Sequence, residues 1–411
     1  MGKRVLIIGG GPTQVPLLEA ALGLGLHAIV ADPAPVNAGV WRAHQVVRLG
    51  TADPEGLLLA AKDLKVDGVI TSTMDSSVPV IGYLNEQLGL RGIRRQAGLT
   101  AANKVEAKKA FQQARVPTAR CFTLPAQGDS SELLKRLEVR RREAGLEYPL
   151  ILKPGKGASS QGVYRLDSPR EAQAHLEDAC RWSQEAGADL LLEEFMVGRE
   201  VSVEIVVVGD RPVILQLTDK TITPPPVCVE VGHLQPSTSW EDPQLLAQIR
   251  DVAERAIRCL GLTDWPCHLE LMVTADGPKV VEINPRISGD TIGSHLVPRS
   301  TNVSFLELAL KAVLGELDYE ALTAEVDSFR QCVAVRFVPP VAGKHLKSIR
   351  VPNQSKVDAV VNYVSYGHRM GPFLSNYDRL AGYITVAPTR EQARSQLDEI
   401  FDGLEVETLE G

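Results

Sequence analysis

The sequence predicts an α/β protein in three parts, and three observations carry that expectation. Short β-rich runs alternate with helix-length segments through the first hundred residues. After Pro149 the texture changes to strands grouped around a Gly/Ser-rich loop and an Asp-Gly turn, and a mixed unit follows residue 325. The chain has 411 residues, and at ~100–200 residues per domain two to four domains are expected. Apolar residues make up 44% and charged residues 23%, an ordinary balance for a chain that buries full cores. Aromatics are only 5%, so those cores rest on Val, Leu, Ile and Ala.

Arg4–Ile8 (RVLII) is expected to be a strand because β-branched and large apolar residues suit a pleated, buried surface, and Gly9-Gly10-Gly11 stop it. A helix is expected over 13–24, a second strand over His27–Ala31 closing on Asp32-Pro33, and a helix over 57–64. A strand over 68–71 and a helix over Val78–Leu88 follow. Strands spaced by a helix length imply βαβ units on a parallel sheet, hence a doubly wound, Rossmann-like domain over residues 1–100. The stretch 100–115 reads as a helix capped by Thr100 or Asn103 and ended by Pro117. Strands are expected at 150–153, 162–166, 190–195, 200–208 and 212–218, with a capped helix at 168–180. A long helix over Pro243–Leu260 leads to strands at 267–274 and 279–283, and the Asp276-Gly277 turn between them signals a hairpin. A helix at 304–314, strands at 333–338 and 381–386, and a helix at 389–401 complete the pattern, with no internal repeat.

Charge and cysteine usage exclude several classes. Lys+Arg total 44 against Asp+Glu 51, a formal charge of −7. With no basic excess and no basic run, neither nucleic acid nor an anionic membrane is expected as a partner. No apolar stretch approaches the ~20 residues of a membrane span. The N-terminal apolar run breaks on glycines where a signal peptide would continue. The six cysteines form no CxxC pair, so reduced thiols in a cytoplasmic location are expected rather than a disulfide framework or a zinc site.

The N-terminal glycines admit two readings. Following a strand, they could cradle a pyrophosphate with Asp32 on a ribose, but the third glycine of G-x-G-x-x-G would fall at Gln14. The favoured reading is a tight strand-to-helix turn.

The chemistry is concentrated in residues 150–290. Lys153 ends the strand LILK, and the loop PGKGASSQG follows it. Such a loop, carrying Ser159, Ser160 and Gly162, offers backbone N–H and hydroxyl donors to phosphate oxygens beside a lysine countercharge. A solvated hairpin loop is the alternative. Glu270 and Glu282 lie one on each arm of the Asp276-Gly277 hairpin, where facing strands bring two carboxylates within reach of one cation. Asn284 points to the same face as Glu282, and Arg286, two residues on, can clamp a carboxylate or phosphoryl group. Surface hairpin charges are the alternative for one Glu pair, less so for all four residues. His268 is expected on the opposite strand face, in a structural role.

Lys153 with its loop, LLLEEFMVGREVSVEI, and HLELMV…KVVEINPRISGD together resemble the ATP-grasp superfamily, and the order of parts resembles it over essentially the whole chain. The resemblance implies a Rossmann-like domain at 1–100, an ATP-grasp domain at 101–325 with a mobile lobe at about 118–195, and a small α+β domain at 326–411. It implies ATP, with Mg²⁺ or Mn²⁺, as cofactors. Lys104 and Lys153 would contact ATP phosphates, Glu193, Glu194, Phe195 and Met196 would hold adenine, and Glu200 would meet the ribose. Core packing is the other reading of Phe195 and Met196. Glu270, Glu282 and Asn284 would be metal ligands and Arg286 would steady the acyl-phosphate and tetrahedral states.

Within that superfamily, Lys220-Thr221, VCVEVGHLQPS and NPRISGD most resemble the ligases that join an amino acid to another amino acid or carboxylate. In that group Lys220 would touch nucleotide phosphates and His233 a substrate carboxyl, although a hydrogen-bonded structural histidine is an equal reading of His233. Asp290 and His295 would line the amine pocket. The implied reaction makes an amide through an acyl phosphate from small-molecule carboxylate and amine substrates, in a homodimer by superfamily habit. The alternative is a carboxylase or formyltransferase of the biotin-carboxylase and purine-biosynthesis type. A non-catalytic nucleotide-binding protein is disfavoured because the carboxylates and lysines are all present. Tyr366, His368, Arg369 and Phe373 either close one side of the site or form a packing loop.

Overall fold

The structure, a computed structural model, describes residues 2–326 and 329–409. The N-terminal strands β1 (Arg4–Ile8), β2 (His27–Ala31), β3 (Gln45–Val47) and β4 (Gly68–Ile70) form a parallel sheet in the order β3-β2-β1-β4. Helices α1 (Val15–Gly23) and α2 (Pro54–Asp63) provide the β1-to-β2 and β3-to-β4 crossovers, and α3 (Val78–Leu88) follows β4. Leu6, Ile7, Ile8 and Ile29 are fully buried, which the apolar runs require of a sheet covered on both faces. The glycine turn is structural. Gly9 has φ +94°, and Asp32 accepts hydrogen bonds from the Gly10 N–H at 2.7 Å and the Asn37 amide at 3.1 Å.

The single helix expected at 100–115 is two, α4 (Arg95–Ala101) and α5 (Lys104–Gln113). Asn103 Oδ1 accepts from the Val105 N–H and caps the second. Next comes a separate lobe made of β5 (Cys121–Leu124), α6 (Ser130–Glu143), β6 (Leu150–Pro154), β7 (Tyr164–Leu166), α7 (Pro169–Glu185) and β8 (Leu190–Glu194). Its antiparallel sheet runs β5-β8-β6-β7, with its own core of Leu137, Leu152, Leu176 and Leu192. Sequence patterning missed α6 because its buried face holds only Leu133, Leu137 and Arg141 in a strongly charged segment.

The remaining chain builds one eight-stranded antiparallel sheet. Strands β9 (Gly198–Val208), β10 (Arg211–Ile222) and β11 (Glu230–Gln235) precede helix α8 (Pro243–Leu260) and the hairpin β12 (Pro266–Thr274)–β13 (Gly277–Asn284). A π-helical turn at Ile292–Leu296 leads through α9 (Val297–Thr301) and α10 (Phe305–Val313) to α11 (Tyr319–Val326). Strands β14 (Cys332–Val338), β15 (Leu346–Arg350), β16 (Ala359–Asn362) and β17 (Ala381–Ala387), helix α12 (Arg390–Phe401) and β18 (Glu405–Thr408) follow. The sheet order is β13-β12-β9-β10-β11-β14-β17-β16, so the C-terminal strands extend the central sheet, while β15 and β18 pair apart. Strand β11 escaped the sequence reading because its buried positions carry Glu230, His233 and Gln235. Among the described residues no helix is long and apolar enough to cross a membrane.

Candidate active site

A cavity of about 700 Å³ lies between the four-stranded lobe and the eight-stranded sheet. The loops after β1 and β4 and the chain before β17 also contribute to its wall. On the lobe side, Lys153 leaves the end of β6 and its Nζ stands 2.7 Å from Glu193 Oε2 on β8. Lys108 of α5 approaches the other oxygen of Glu193 at 2.9 Å. Burial would raise the Glu193 pKa, but the two ammonium groups hold it below the usual carboxylate range. Glu193 thus stands in the cavity wall with its carboxylate paired to two lysines.

Lys108 also donates to Thr118 Oγ1 at 2.5 Å and to the Val280 carbonyl at 3.1 Å, tying the lobe to β13. It was not a sequence candidate. The faint signal was its place on the buried face of α5, three residues after Val105 and three before Phe111. Removing one partner of a buried ionic group is costly, so Lys108→Met is expected to destabilise the fold by roughly 3 kcal/mol. Denaturant unfolding checks this, and a midpoint equal to wild type would show that the lysine is dispensable.

Glu194 is held by Arg120, through the backbone N–H at 3.0 Å and Nε at 2.7 Å. Phe195 stacks under the Arg165 guanidinium, 4.3 Å from its ring centroid. With Ile151, Val163, Met196 and Met272 it gives this end of the cavity an apolar wall suited to a flat base. Ser159 and Ser160, each with φ +60°, face the cavity. Gly162 does not line it. At φ +68°, with a Cβ 2.9 Å from Trp182 Cδ1 were one present, Gly162 serves the turn itself.

Opposite, Glu270 and Glu282 are direct cross-strand partners in β12 and β13, with an irregularity in register immediately after Glu270. Lys220 Nζ lies 3.2 Å from Glu270 and 2.8 Å from Glu200, and also contacts Glu230, with its side chain 1% exposed. Lys104 Nζ is 3.4 Å from Glu282 and 2.6 Å from the Gly157 carbonyl, so it joins the Gly/Ser loop to the hairpin. The Asn284 amide donates to Glu282 at 2.9 Å. Burial would push both carboxyls up, yet Lys220 and His268 hold Glu270 well below its ordinary value. Lys104 lowers the pKa of Glu282. Two ionised carboxylates and an amide are a hard-oxygen set that fits Mg²⁺.

His268 is corrected. Residues two apart on a strand share a face, and its ring bridges Glu204 at 2.9 Å and Glu270 at 3.0 Å. Burial opposes its charge, but the two carboxylates raise its pKa to about 10.

His233 is corrected as well. Its side chain is 0% exposed and lies behind the cavity wall, 3.7 Å from Glu230 and edge-on to Phe337. Burial lowers its pKa to about 3, so it is neutral, and it does not stand where a substrate carboxyl would meet it.

Asp290 and His295, both named from the sequence, stand in the wall with several residues that were not. Asp290 pairs with Arg379 and accepts from the Asn376 amide at 3.3 Å, while Asn376 Nδ2 also donates to Glu230 at 3.2 Å. Burial, opposed by Lys220 and reinforced by Asp290, pushes the Glu230 pKa up to about 8. Ligand-type atoms of Glu230, His233 and Asp290 lie within 4.8 Å of one another. Lys220 contacts Glu230 and Arg379 contacts Asp290. His295 lines the cavity, with Nδ1 2.7 Å from Ser294 Oγ. From the C-terminal part, Tyr363, Asn376, Tyr377 and Arg379 reach the cavity. The expected Tyr366 is 71% exposed, and His368, Arg369 and Phe373 are not in the wall. Arg286 extends into the cavity with its guanidinium on Asp75, at 3.0 and 3.3 Å.

Comparison with known proteins adds an independent line. Residues 146–294 match the ATP-grasp domain family. Carnosine synthase 1 of Mus musculus is 28% identical over 308 residues, covering 70% of this chain and 37% of that protein. The chain thus spans little more than a third of that relative. Phosphoribosylamine–glycine ligase of Caldanaerobacter subterraneus is 22% identical over 421 residues, 98% of this chain and 97% of the other. The solved L-amino acid ligase of Bacillus licheniformis shares the fold, with a TM-score of 0.82 at 21% identity over 100% of this chain and 99% of that one.

Proposed function

The chain carries an ATP-grasp domain, and on that premise we propose that it is an ATP-dependent carboxylate–amine ligase with an amino acid as one substrate. One observation carries the reading: Lys104, Lys153, Lys220, Arg286 and the Glu270–Glu282 pair converge on a single cavity. An acid does not condense with an amine unaided, because its oxygen is a poor leaving group. A carboxylate oxygen attacks the γ-phosphorus of ATP, the bond to the β-phosphate oxygen breaks, and ADP leaves. The amine nitrogen then attacks the acyl carbon, the carbon–oxygen bond to phosphate breaks, and the nitrogen gives up a proton. Charge on the moving phosphoryl group is the main obstacle, and fixed cations in a closed site lower it.

The lysines have the roles their positions suit. Lys104, bonded to the Gly/Ser loop, and Lys153, at its start, hold phosphates, and Lys220 joins them from the sheet. Glu270, Glu282 and Asn284 would hold Mg²⁺, which would supply positive charge beside the phosphate oxygens. The apolar wall at Phe195 and Met196 takes the adenine. Arg286 holds the acid's reacting end, and the Glu230–Asp290–Asn376 group borders the compartment beyond it. Closure of the lobe over the nucleotide excludes water from the acyl phosphate. The six cysteines are free, as in a reducing cytoplasm.

Hydroxylamine tests the intermediate. With ATP and Mg²⁺ it intercepts an acyl phosphate as a hydroxamate of the acid substrate, whatever the amine. ADP release without hydroxamate from any acid tried would argue against acyl activation. Lys153→Ala is expected to weaken ATP binding about tenfold to a hundredfold, the worth of one charge-assisted hydrogen bond. Titration with a fluorescent ATP analogue checks it, and an unchanged affinity would remove Lys153 from the nucleotide site.

A further inference from the structure

We infer that Asp75, from the N-terminal domain, is the positioning residue for Arg286, and that it decides which edge of the guanidinium is offered to the substrate anion. This rests on the ligase reading above. Asp75 takes the side-on edge: Oδ1 is 3.0 Å from Nε and Oδ2 is 3.3 Å from Nη2. Nη1 lies 3.4 Å from the Ile287 carbonyl. These contacts use three of the five N–H groups, leaving one on Nη1 and one on Nη2 for two oxygens of a carboxylate or phosphate. Besides Asp75, Glu282 and Glu270 also act on the Arg286 charge. A guanidinium drawn to them would leave the acid unclamped and neutralise the cation site.

The loop carrying Asp75 is itself held in register with Arg286. Ser72 forms a parallel bridge with Ile287, the residue after Arg286. Gln14 Nε2 donates to the Ser72 carbonyl at 2.8 Å and to Thr73 Oγ1 at 3.1 Å. Thr73 has φ +62°, a conformation rare for a β-branched residue, and its hydroxyl also bonds Thr13 at 3.0 Å. Gln14 occupies the place where a dinucleotide fingerprint would need its third glycine. Its amide supports the segment 72–75, giving the first glycine-rich turn a part in the site.

The test compares wild type, Asp75→Asn, Asp75→Ala, Arg286→Lys and the double variant Asp75→Asn/Arg286→Lys. Two readouts are used: ADP release, and binding of inorganic phosphate to the Mg²⁺–ADP complex by calorimetry, with melting curves to verify folding. Misplacing a reacting group by an ångström costs about a hundredfold, so kcat of Asp75→Asn is expected to fall by that order, with KM for ATP unchanged. Phosphate affinity is expected to fall about tenfold, and Asp75→Asn to add nothing in the Arg286→Lys background. Wild-type kcat and phosphate affinity in Asp75→Asn, or full additivity in the double variant, would overturn the inference. A wild type that turns over no acid–amine pair refutes the ligase reading, and the phosphate readout then decides Asp75 alone. Failure of the wild-type ADP complex to bind phosphate also overturns it.

Discussion

Glu282→Gln is expected to abolish turnover, by roughly a thousandfold or more, while the protein still melts cooperatively near the wild-type temperature. Glutamine keeps the shape of the side chain and its place opposite Glu270 in the hairpin ladder, so the backbone has no reason to move. What changes is charge. The hard-oxygen pair becomes one carboxylate and one neutral amide, a weak site for a divalent cation. Lys104, 3.4 Å away, loses its counter-ion and is left bonded only to the Gly157 carbonyl on that side. ADP release followed by a coupled assay, with a melting curve on the same preparation, separates the two effects. Turnover within tenfold of wild type would exclude Glu282 from the cation site, and a lost transition would make it structural.

Arg286→Ala is expected to have the second-largest effect, about a hundredfold to a thousandfold in kcat, the size seen when one transition-state donor is removed. Asp75 is only partly buried, so it hydrates when its partner goes, and stability is expected to change little. Arg286→Lys discriminates the mechanism. Lysine restores the charge but not the planar fork, so it is expected to recover only a minor part of the rate if two oxygens are held at once. Full recovery with lysine would mean that charge alone suffices.

What was legible in the sequence was what local order exposes. Lys153 and its loop follow one another in the chain, and Glu270, Glu282, Asn284 and Arg286 sit on one hairpin and its exit. Alternation and a turn dipeptide are enough to place those residues together. Asp75 meets Arg286 across 211 positions, and Asn376 meets Glu230 across 146. No local period encodes such pairings; they follow from the packing of the N-terminal domain and the C-terminal strands around one cavity. Polar residues buried in a strand also hid their element. Glu230 and His233 make β11 read as loop, although the strand binds β10 and β14 on either side. His233 carries the same lesson in reverse: a motif position names a residue, but burial and partners decide whether its side chain reaches the cavity. His268 failed for a simpler reason, since the two-residue period places it on the face of Glu270.

The most direct test of the ligase reading is ADP release with Mg²⁺-ATP across a matrix of amino-acid pairs, with bicarbonate and formate as separate wells and products identified by mass. The expected result is ADP formed only where a particular acid and a particular amine are both present, with one amide produced per ADP. ADP formed with bicarbonate or formate alone, and no amide from any pair, would contradict a carboxylate–amine ligase and make the protein a carboxylating or formylating enzyme instead.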